Sequence, residues 1–405
     1  MEEPKTVYIG IDGNEANIAM RVGVNEYAYQ ILWGLWRLIS YTREKQIVPK
    51  DREKAYSEKV TKPIVITVFL KYPPQPHMPP ASDNFRYKVL GGGGMWIVTR
   101  LMPHLFMSHD RLDVFFTPSH YIPPFALQPR VCSIMDLGYL VFSGQFRKRD
   151  YWQLRLWSAW SMARSKRVLA ISSSTKDDIV RHYPGYLSKI VVTPLGYDAS
   201  TYNERRSRED IRHIEEVKKK YSIVNNYILF LGTLKPSKNI EGLVEAWGKI
   251  VNKYSDFTLV IGGKRGWLYD TIFSKVKNLG LTGRVVFTDY LNEEDKVSLI
   301  KGAHVFVIPS FWEGFGIDAL TSMASGVPVV AGDRGSLKEV VGNAGLLVNP
   351  KDTDDIANKI SEVLGMSKKE YNRIVVKGLE KAKEFSWEKT AKVTLETLVE
   401  VAEGK

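Results

Sequence analysis

Short β-branched and aromatic runs alternate along this chain with stretches whose apolar residues recur at helical spacing. That alternation predicts an α/β protein built on doubly wound parallel sheets with crossover helices. Val7–Ile11 reads as the first strand and Asn25–Ser40 as the helix after it. Ile64–Leu70, Val114–Phe116, Val131–Ile134, Val168–Ile171 and Ile190–Val192 continue the strand series, with Ser172–His182 a serine-capped helix between the last two. The loop Tyr72–Pro80 carries five prolines, and Gly91–Gly94 reads as a flexible loop because no strand–GK[ST]–helix context accompanies it. A second series opens with the charged helix Glu204–Tyr221. It runs through strands at Tyr227–Leu231, Thr258–Ile261, Val285–Thr288, Val305–Ile308 and Val329–Val330. Two domains are expected, at residues 1–197 and 198–375. The tail of residues 376–405, helical over much of the run Tyr371–Ala402, is expected to return to the first domain.

Composition narrows the function classes. No run of about 18 apolar residues occurs, so no transmembrane helix is expected. The start, Met1-Glu2-Glu3-Pro4-Lys5, is unlike a signal peptide, and the single cysteine, Cys132, fits a reducing compartment. A cytoplasmic location follows as the expectation. The formal net charge of +12 asks for an anionic partner. No helix-turn-helix, zinc-finger or RNP-type pattern supports nucleic acid, which leaves ligand phosphates and anionic lipid headgroups.

The chemistry concentrates between Pro309 and Gly326. Val305-Phe-Val-Ile-Pro-Ser310 is a strand and its stop, Phe311-Trp-Glu-Gly-Phe-Gly316 a glycine-bearing loop, and Ile317–Ser325 a helix closed by Gly326 and Pro328. Gly314 and Gly316 allow a tight turn and close backbone approach to a ligand. The helix start then offers unpaired N–H groups and a positive dipole end, which suit phosphate. Glu313 stands beside it, able to accept hydrogen bonds from sugar hydroxyls or to stabilise a developing positive charge. A plain glycine turn with an acidic helix cap explains the same residues, and local physics leaves both readings open.

Residues 309–350 as a whole, PSFWEGFGIDALTSMASGVPVVAGDRGSLKEVVGNAGLLVNP, resemble the donor-binding region of glycosyltransferase family 4. Phe230-Leu-Gly-Thr-Leu-Lys-Pro-Ser-Lys-Asn239, Ile261-Gly-Gly-Lys264, Phe287-Thr-Asp-Tyr-Leu291, Thr193-Pro-Leu-Gly-Tyr-Asp198, Ile11-Asp-Gly-Asn-Glu15 through Gly23, Ser172–Thr175 and Phe385-Ser-Trp-Glu388 agree in order. The resemblance implies a GT-B fold, two Rossmann-like domains facing a central cleft. The implied activity is retaining transfer of a hexose from a nucleotide-diphosphate sugar to a glycan or lipid-linked acceptor. It implies that Lys238 holds the donor diphosphate and that Glu313 bonds the transferred sugar. The backbone of Gly314, Phe315, Gly316 and Ile317 would face sugar or phosphate, Gly23 would approach the diphosphate, and Tyr290 and Leu291 would flank the nucleobase. Asp136, in Ser133-Ile-Met-Asp-Leu137, is carried over as a catalytic candidate, with a turn or cap role as its alternative. No cofactor is implied, and no metal is expected, because cations and a helix end neutralise the leaving diphosphate. The acidic triplet Asp352-Thr-Asp354 reads as a helix start.

Three positions depart from the family pattern. Thr233 stands where an arginine often contacts phosphate, a charge-assisted contact on the order of 1.5–3 kcal/mol. Lys235, Lys264 or Arg265 could compensate. Thr321 stands where a glutamate meets the donor ribose, and Met135 where a histidine often precedes Asp136. Two rival readings therefore stay open: a weakened homologue that binds nucleotide-sugar without efficient transfer, and a nucleotide-sugar epimerase. The run from Phe146 to Arg167 sets Tyr151, Trp152, Leu156, Trp157 and Trp160 among cations at helical spacing. Either it adsorbs to the inner face of an anionic membrane, or its tryptophans pack inward while the cations stay solvated.

Overall fold

Both series of strands pair as parallel sheets, and in each the strand order reverses at one point. The architecture comes from a computed structural model that describes residues 5–21, 23–41, 62–107, 110–145, 147–204, 206–266 and 269–404. Met1–Pro4 and Phe146 lie outside the described residues. The chain divides into two compact units, Met1–Gly196 with Ser386–Lys405, and Tyr197–Phe385.

In the first unit the strands are β1 (Val7–Asp12), β2 (Ile64–Leu70), β3 (Phe85–Val89), β4 (Val114–Thr117), β5 (Arg130–Ile134), β6 (Arg167–Ala170) and β7 (Ile190–Val192). Among the described residues they form one sheet in the order β3-β2-β1-β4-β5-β6-β7, every neighbour parallel. The central strands are almost wholly apolar because helices cover both faces of a parallel sheet. The periodicity reading passes over β3, whose FRYKV sequence alternates cations with aromatics and leaves the strand part-exposed at the sheet edge.

The last helix of the chain, Trp387–Ala402, belongs to this unit and packs along the first helix, Val24–Tyr41. A Cβ on Gly34 would stand 2.5 Å from the Ala391 Cβ, so the two helices meet closely at that residue. The tail is two helices rather than one, Lys368–Ala382 and Trp387–Ala402. Ser386 is extended and its side chain accepts the Lys389 N–H, opening a new helix start. The handover between units therefore falls after Phe385, and the expected break at residue 376 lies inside the helix Lys368–Ala382.

The second unit contains β8 (Asn226–Leu231), β9 (Phe257–Gly262), β10 (Val285–Asp289), β11 (Val305–Ile308), β12 (Val329–Gly332) and β13 (Leu346–Val348). Their order is β10-β9-β8-β11-β12-β13, again parallel throughout. The short edge strand β13 is not among the strands predicted from the sequence. The charged helix begins at Arg208, not Glu204, because Ser207 and Asp210 form a capping box. β8 and β11 are neighbours at the switch point. Sheets of this kind bind ligands beyond the carboxyl ends of the strands at such a point.

Candidate functional site

The loop leaving β8 is held against the loop leaving β9. Leu234 N–H donates to Lys264 O at 2.9 Å and Gly266 N–H to Leu234 O at 3.0 Å, so pairing continues past the strand ends. The close approach needs glycine at Gly263: its φ is +144°, and a Cβ there would stand 2.0 Å from Gly232 O. Pro236–Lys238 then make one 3₁₀ turn, and Asn239 follows in the left-handed region at φ 54°, ψ 39°. Asn239 Nδ2 donates to Pro309 O at 3.1 Å and to Pro350 O at 2.6 Å. Phe311 N–H donates to Ser237 O at 2.9 Å. These bonds lock the β8 loop to the β11 loop and set Lys238 opposite Glu313.

Lys238 Nζ lies 2.5 Å from Glu313 Oε1 and 2.6 Å from Oε2. Ser310 Oγ donates to Oε1 at 2.8 Å, and Ser336 Oγ donates to the Glu313 carbonyl at 2.8 Å. The two side chains are only 15% and 11% exposed, so this pair interacts through little water. An arriving anion can draw off the ammonium and leave the carboxylate to sugar hydroxyls. The helix Ile317–Ala324 starts alongside. Gly316, at φ 90°, is its cap residue and supplies no side-chain hydrogen bond. The first-turn N–H groups are thus not capped by a side chain and suit an anion.

The remaining donor-side candidates divide between the site's rim and its frame. Thr233 and Lys264 are exposed, Lys235 is half-buried, and Tyr290 projects with half its surface exposed. Leu291 is buried, and Phe315 is buried edge-on to Phe385 with ring centroids 5.6 Å apart. Thr321 is buried and its Oγ1 donates to Asp318 O at 3.2 Å, so the hydroxyl is spent within its own helix. Arg265, one of the cations considered in place of an arginine at 233, is taken up by Asp289. It makes contacts of 2.7 and 3.2 Å to the two carboxylate oxygens. Asp289 has φ +54° and sits where β10 slips register against β9.

In the first unit, Asp12 ends β1 beside the switch point and is buried. Burial pushes its carboxyl up to about 6, against the opposing hydrogen bonds from Asn14. Gly23 takes φ +54° with open space where a side chain would be. Asp136 is exposed and its Oδ1 accepts Gly138 N–H at 2.8 Å, the geometry of a turn cap. Sequence reasoning missed His120, three residues past β4. Its Nε2 has no hydrogen-bond partner among the described residues, and burial pushes the imidazole down to about 4, keeping it neutral.

Known proteins resemble this chain in sequence and in fold. The family model described as Glycosyl transferases group 1 matches residues 212–380. The O-antigen chain mannosyltransferase B of Escherichia coli is 32% identical over 288 residues, covering 70% of this chain and 73% of that protein. The chain belongs to the group 1 glycosyl transferases. It spans 28% to 59% of the length of seven further curated relatives. Two solved structures share the fold of this glycosyltransferase at 18% identity. Sucrose-phosphate synthase from Thermosynechococcus elongatus superposes with a TM-score of 0.71 over 98% of this chain and all of that one. The Anabaena protein Alr3699/HepE, in complex with UDP and glucose, gives 0.69 over 97% and 99%. The fold is GT-B, two α/β domains on parallel sheets.

Within the second unit of the glycosyltransferase, Lys238, Glu313 and the helix start after Gly316 come together. Asp136 and Gly23 belong to the first unit. Asn239, Ser310 and Ser336 were the residues missed there: each orients the ion pair through a bond to a partner between 3 and 111 positions away. Asn239 had one sequence signal, a polar residue ready for left-handed backbone directly after the lysine. The acidic triplet at residues 352–354 is a helix start, with Asp352 accepting the Asp354 and Asp355 N–H groups.

Proposed function

We propose that this protein is a retaining hexosyltransferase of glycosyltransferase family 4 that uses a nucleotide-diphosphate sugar. The observation that carries the reading is the Lys238–Glu313 pair, held by Ser310 and Asn239 beside an uncapped helix start at the switch point. Lys238 and the helix N–H groups take the diphosphate, and Glu313, released from the lysine, takes hydroxyls of the transferred sugar. The leaving diphosphate then helps deprotonate the incoming hydroxyl on the same face, so no protein nucleophile or metal is required. Asp136 is an acceptor-side candidate. Mannose is the sugar to try first, since O-antigen chain mannosyltransferase B is 32% identical over 288 residues. The acceptor is a glycan or a lipid-linked glycan.

The test is a panel of UDP-, GDP- and ADP-sugars, read by thermal shift and by donor consumption with and without acceptor. One sugar nucleotide should stabilise the enzyme, with consumption that rises when acceptor is added and a product that keeps the donor's anomeric configuration. Stabilisation without consumption sinks transfer in favour of a binding homologue. Conversion of the donor to an isomer without acceptor favours an epimerase. No stabilisation by any sugar nucleotide refutes the donor site.

A peripheral contact with an anionic bilayer belongs to the same proposal. No helix among the described residues is long and apolar enough to cross a membrane. In the helix Lys148–Arg164, however, Trp152 and Leu156 are 51% and 64% exposed, and exposed Phe125 meets Trp160 edge-on with ring centroids 6.0 Å apart. Arg155 lies over the Trp152 ring and Arg164 over that of Trp160, pairing cations with interfacial aromatics. Trp157 turns inward and its Nε1 donates to Ile122 O at 3.3 Å. The protein should co-sediment with vesicles of phosphatidylglycerol mixed into phosphatidylcholine, and not with phosphatidylcholine alone. A Trp152→Ala, Leu156→Ala double variant should lose that binding; sedimentation equal to wild type rules the patch out.

A further inference from the structure

The donor site just proposed contains a charge that works against it. Asp318 is the second residue of the helix Ile317–Ala324, directly after the N–H groups assigned to the diphosphate. A free carboxylate there competes for the positive helix end and repels phosphate oxygens. The structure supplies a counterweight from another element. Lys296, on the helix Glu293–Gly302, places Nζ 2.9 Å from Asp318 Oδ1, with the two side chains only 24% and 22% exposed. Tyr202 and Glu293 face the same ammonium, and Tyr202 donates to Glu293 Oε2 at 3.4 Å. Burial by itself lowers the affinity of Lys296 for its proton. The facing Asp318, Tyr202 and Glu293 outweigh that and hold its pKa well above the ordinary lysine range, so it stays charged.

We infer that Lys296 is a positioning residue for donor binding. It pins Asp318 and cancels its charge, so that the helix start stays open to the diphosphate of a nucleotide-sugar. The inference rests on the donor reading above. Lys296 acts through Asp318 and is not placed in contact with the donor. It also ties the helix that follows the Tyr290–Leu291 loop to the helix that follows Glu313, two elements brought to one site by different strands.

The test is calorimetric titration of UDP, GDP and ADP. The proteins are wild type, Lys296→Met, Lys296→Arg, Asp318→Asn and the Lys296→Met, Asp318→Asn double variant. Lys296→Met is expected to weaken the nucleotide that wild type prefers by about tenfold or more. Lys296→Arg should keep wild-type affinity, Asp318→Asn should bind as tightly or tighter, and the double variant should return to within about threefold of wild type. In Lys296→Met, turnover at saturating donor should change less than the donor KM. If Lys296→Met does not fold, Asp318→Asn and the double variant decide. A double variant about tenfold weaker than wild type overturns the inference, because the Asp318 charge is then absent. Wild-type affinity in Lys296→Met overturns it as well. If wild type binds none of the three nucleotides, the donor reading itself fails. If wild type binds and the double variant is not rescued, only the role of Lys296 fails.

Discussion

Glu313→Ala should reduce donor turnover, as kcat/KM, by about two to three orders of magnitude, the range seen when one preorganised polar group is removed from an active site. Three consequences of the geometry set that size. The carboxylate that would receive the sugar hydroxyls is gone. Ser310 Oγ, which donates to it at 2.8 Å, loses its acceptor. Lys238 Nζ, held between the two carboxylate oxygens at 2.5 and 2.6 Å, becomes an unpaired ammonium in a nearly dry site. Removing one partner of a buried pair costs about 3 kcal/mol of stability, and less to the extent that Lys238 retains some exposure. The freed lysine remains available to the diphosphate, so nucleotide affinity should fall far less than kcat. Lys238→Ala should show the opposite division, with donor KM raised more than kcat is lowered. Steady-state kinetics on the two variants reads this directly. A Glu313→Ala enzyme within about threefold of wild-type kcat/KM would show that the carboxylate holds the loop and nothing more.

Gly263→Ala is expected to destabilise the second unit by about 3–5 kcal/mol, through overpacking and backbone strain together. A Cβ at this residue would lie 2.0 Å from Gly232 O and 2.7 Å from Gly232 C, and the φ of +144° disfavours any side chain. The obstacle is backbone, so no side-chain rotation relieves it. The two loops must part, which breaks the Leu234–Lys264 and Gly266–Leu234 hydrogen bonds. Lys235 and Lys238 ride on the loop that moves, and donor affinity should fall with stability. Gly283→Ala is the control, since Gly283 has φ +82° but open space around its Cβ position. That variant should cost only the backbone strain, about 1 kcal/mol. Thermal unfolding of the pair separates the effects. Equal melting temperatures would mean that the contact between the loops contributes nothing.

Much of this was legible before any coordinates. Buried strands of a parallel sheet are continuous apolar runs, and Ile64–Leu70, Ile190–Val192 and Val305–Ile308 were placed to the residue. Edge strands and helix ends were not. Phe85–Val89 carries cations because one side of it meets water, and Ser386 splits a continuous helical pattern by satisfying an N–H three residues on. At the site, Glu313 and Gly316 stood out because a glycine turn and a carboxylate are chemically distinctive types, and Lys238 was marked by the resemblance alone. Asn239, Ser310 and Ser336 are common polar residues whose role exists only through the partner each one reaches.

The sequence by itself pointed to the fold class through periodicity, and to the family and the candidate site residues through a resemblance carried by motifs along the chain. Tertiary structure alone decided how the charges pair. Lys238 with Glu313 spans 75 positions, Arg265 with Asp289 spans 24, and Lys296 meets Asp318 from a different helix. Each pair forms because a parallel sheet brings the carboxyl ends of strands distant in sequence to one edge. Electrostatic energy depends on that distance and on the water excluded there, not on separation along the chain.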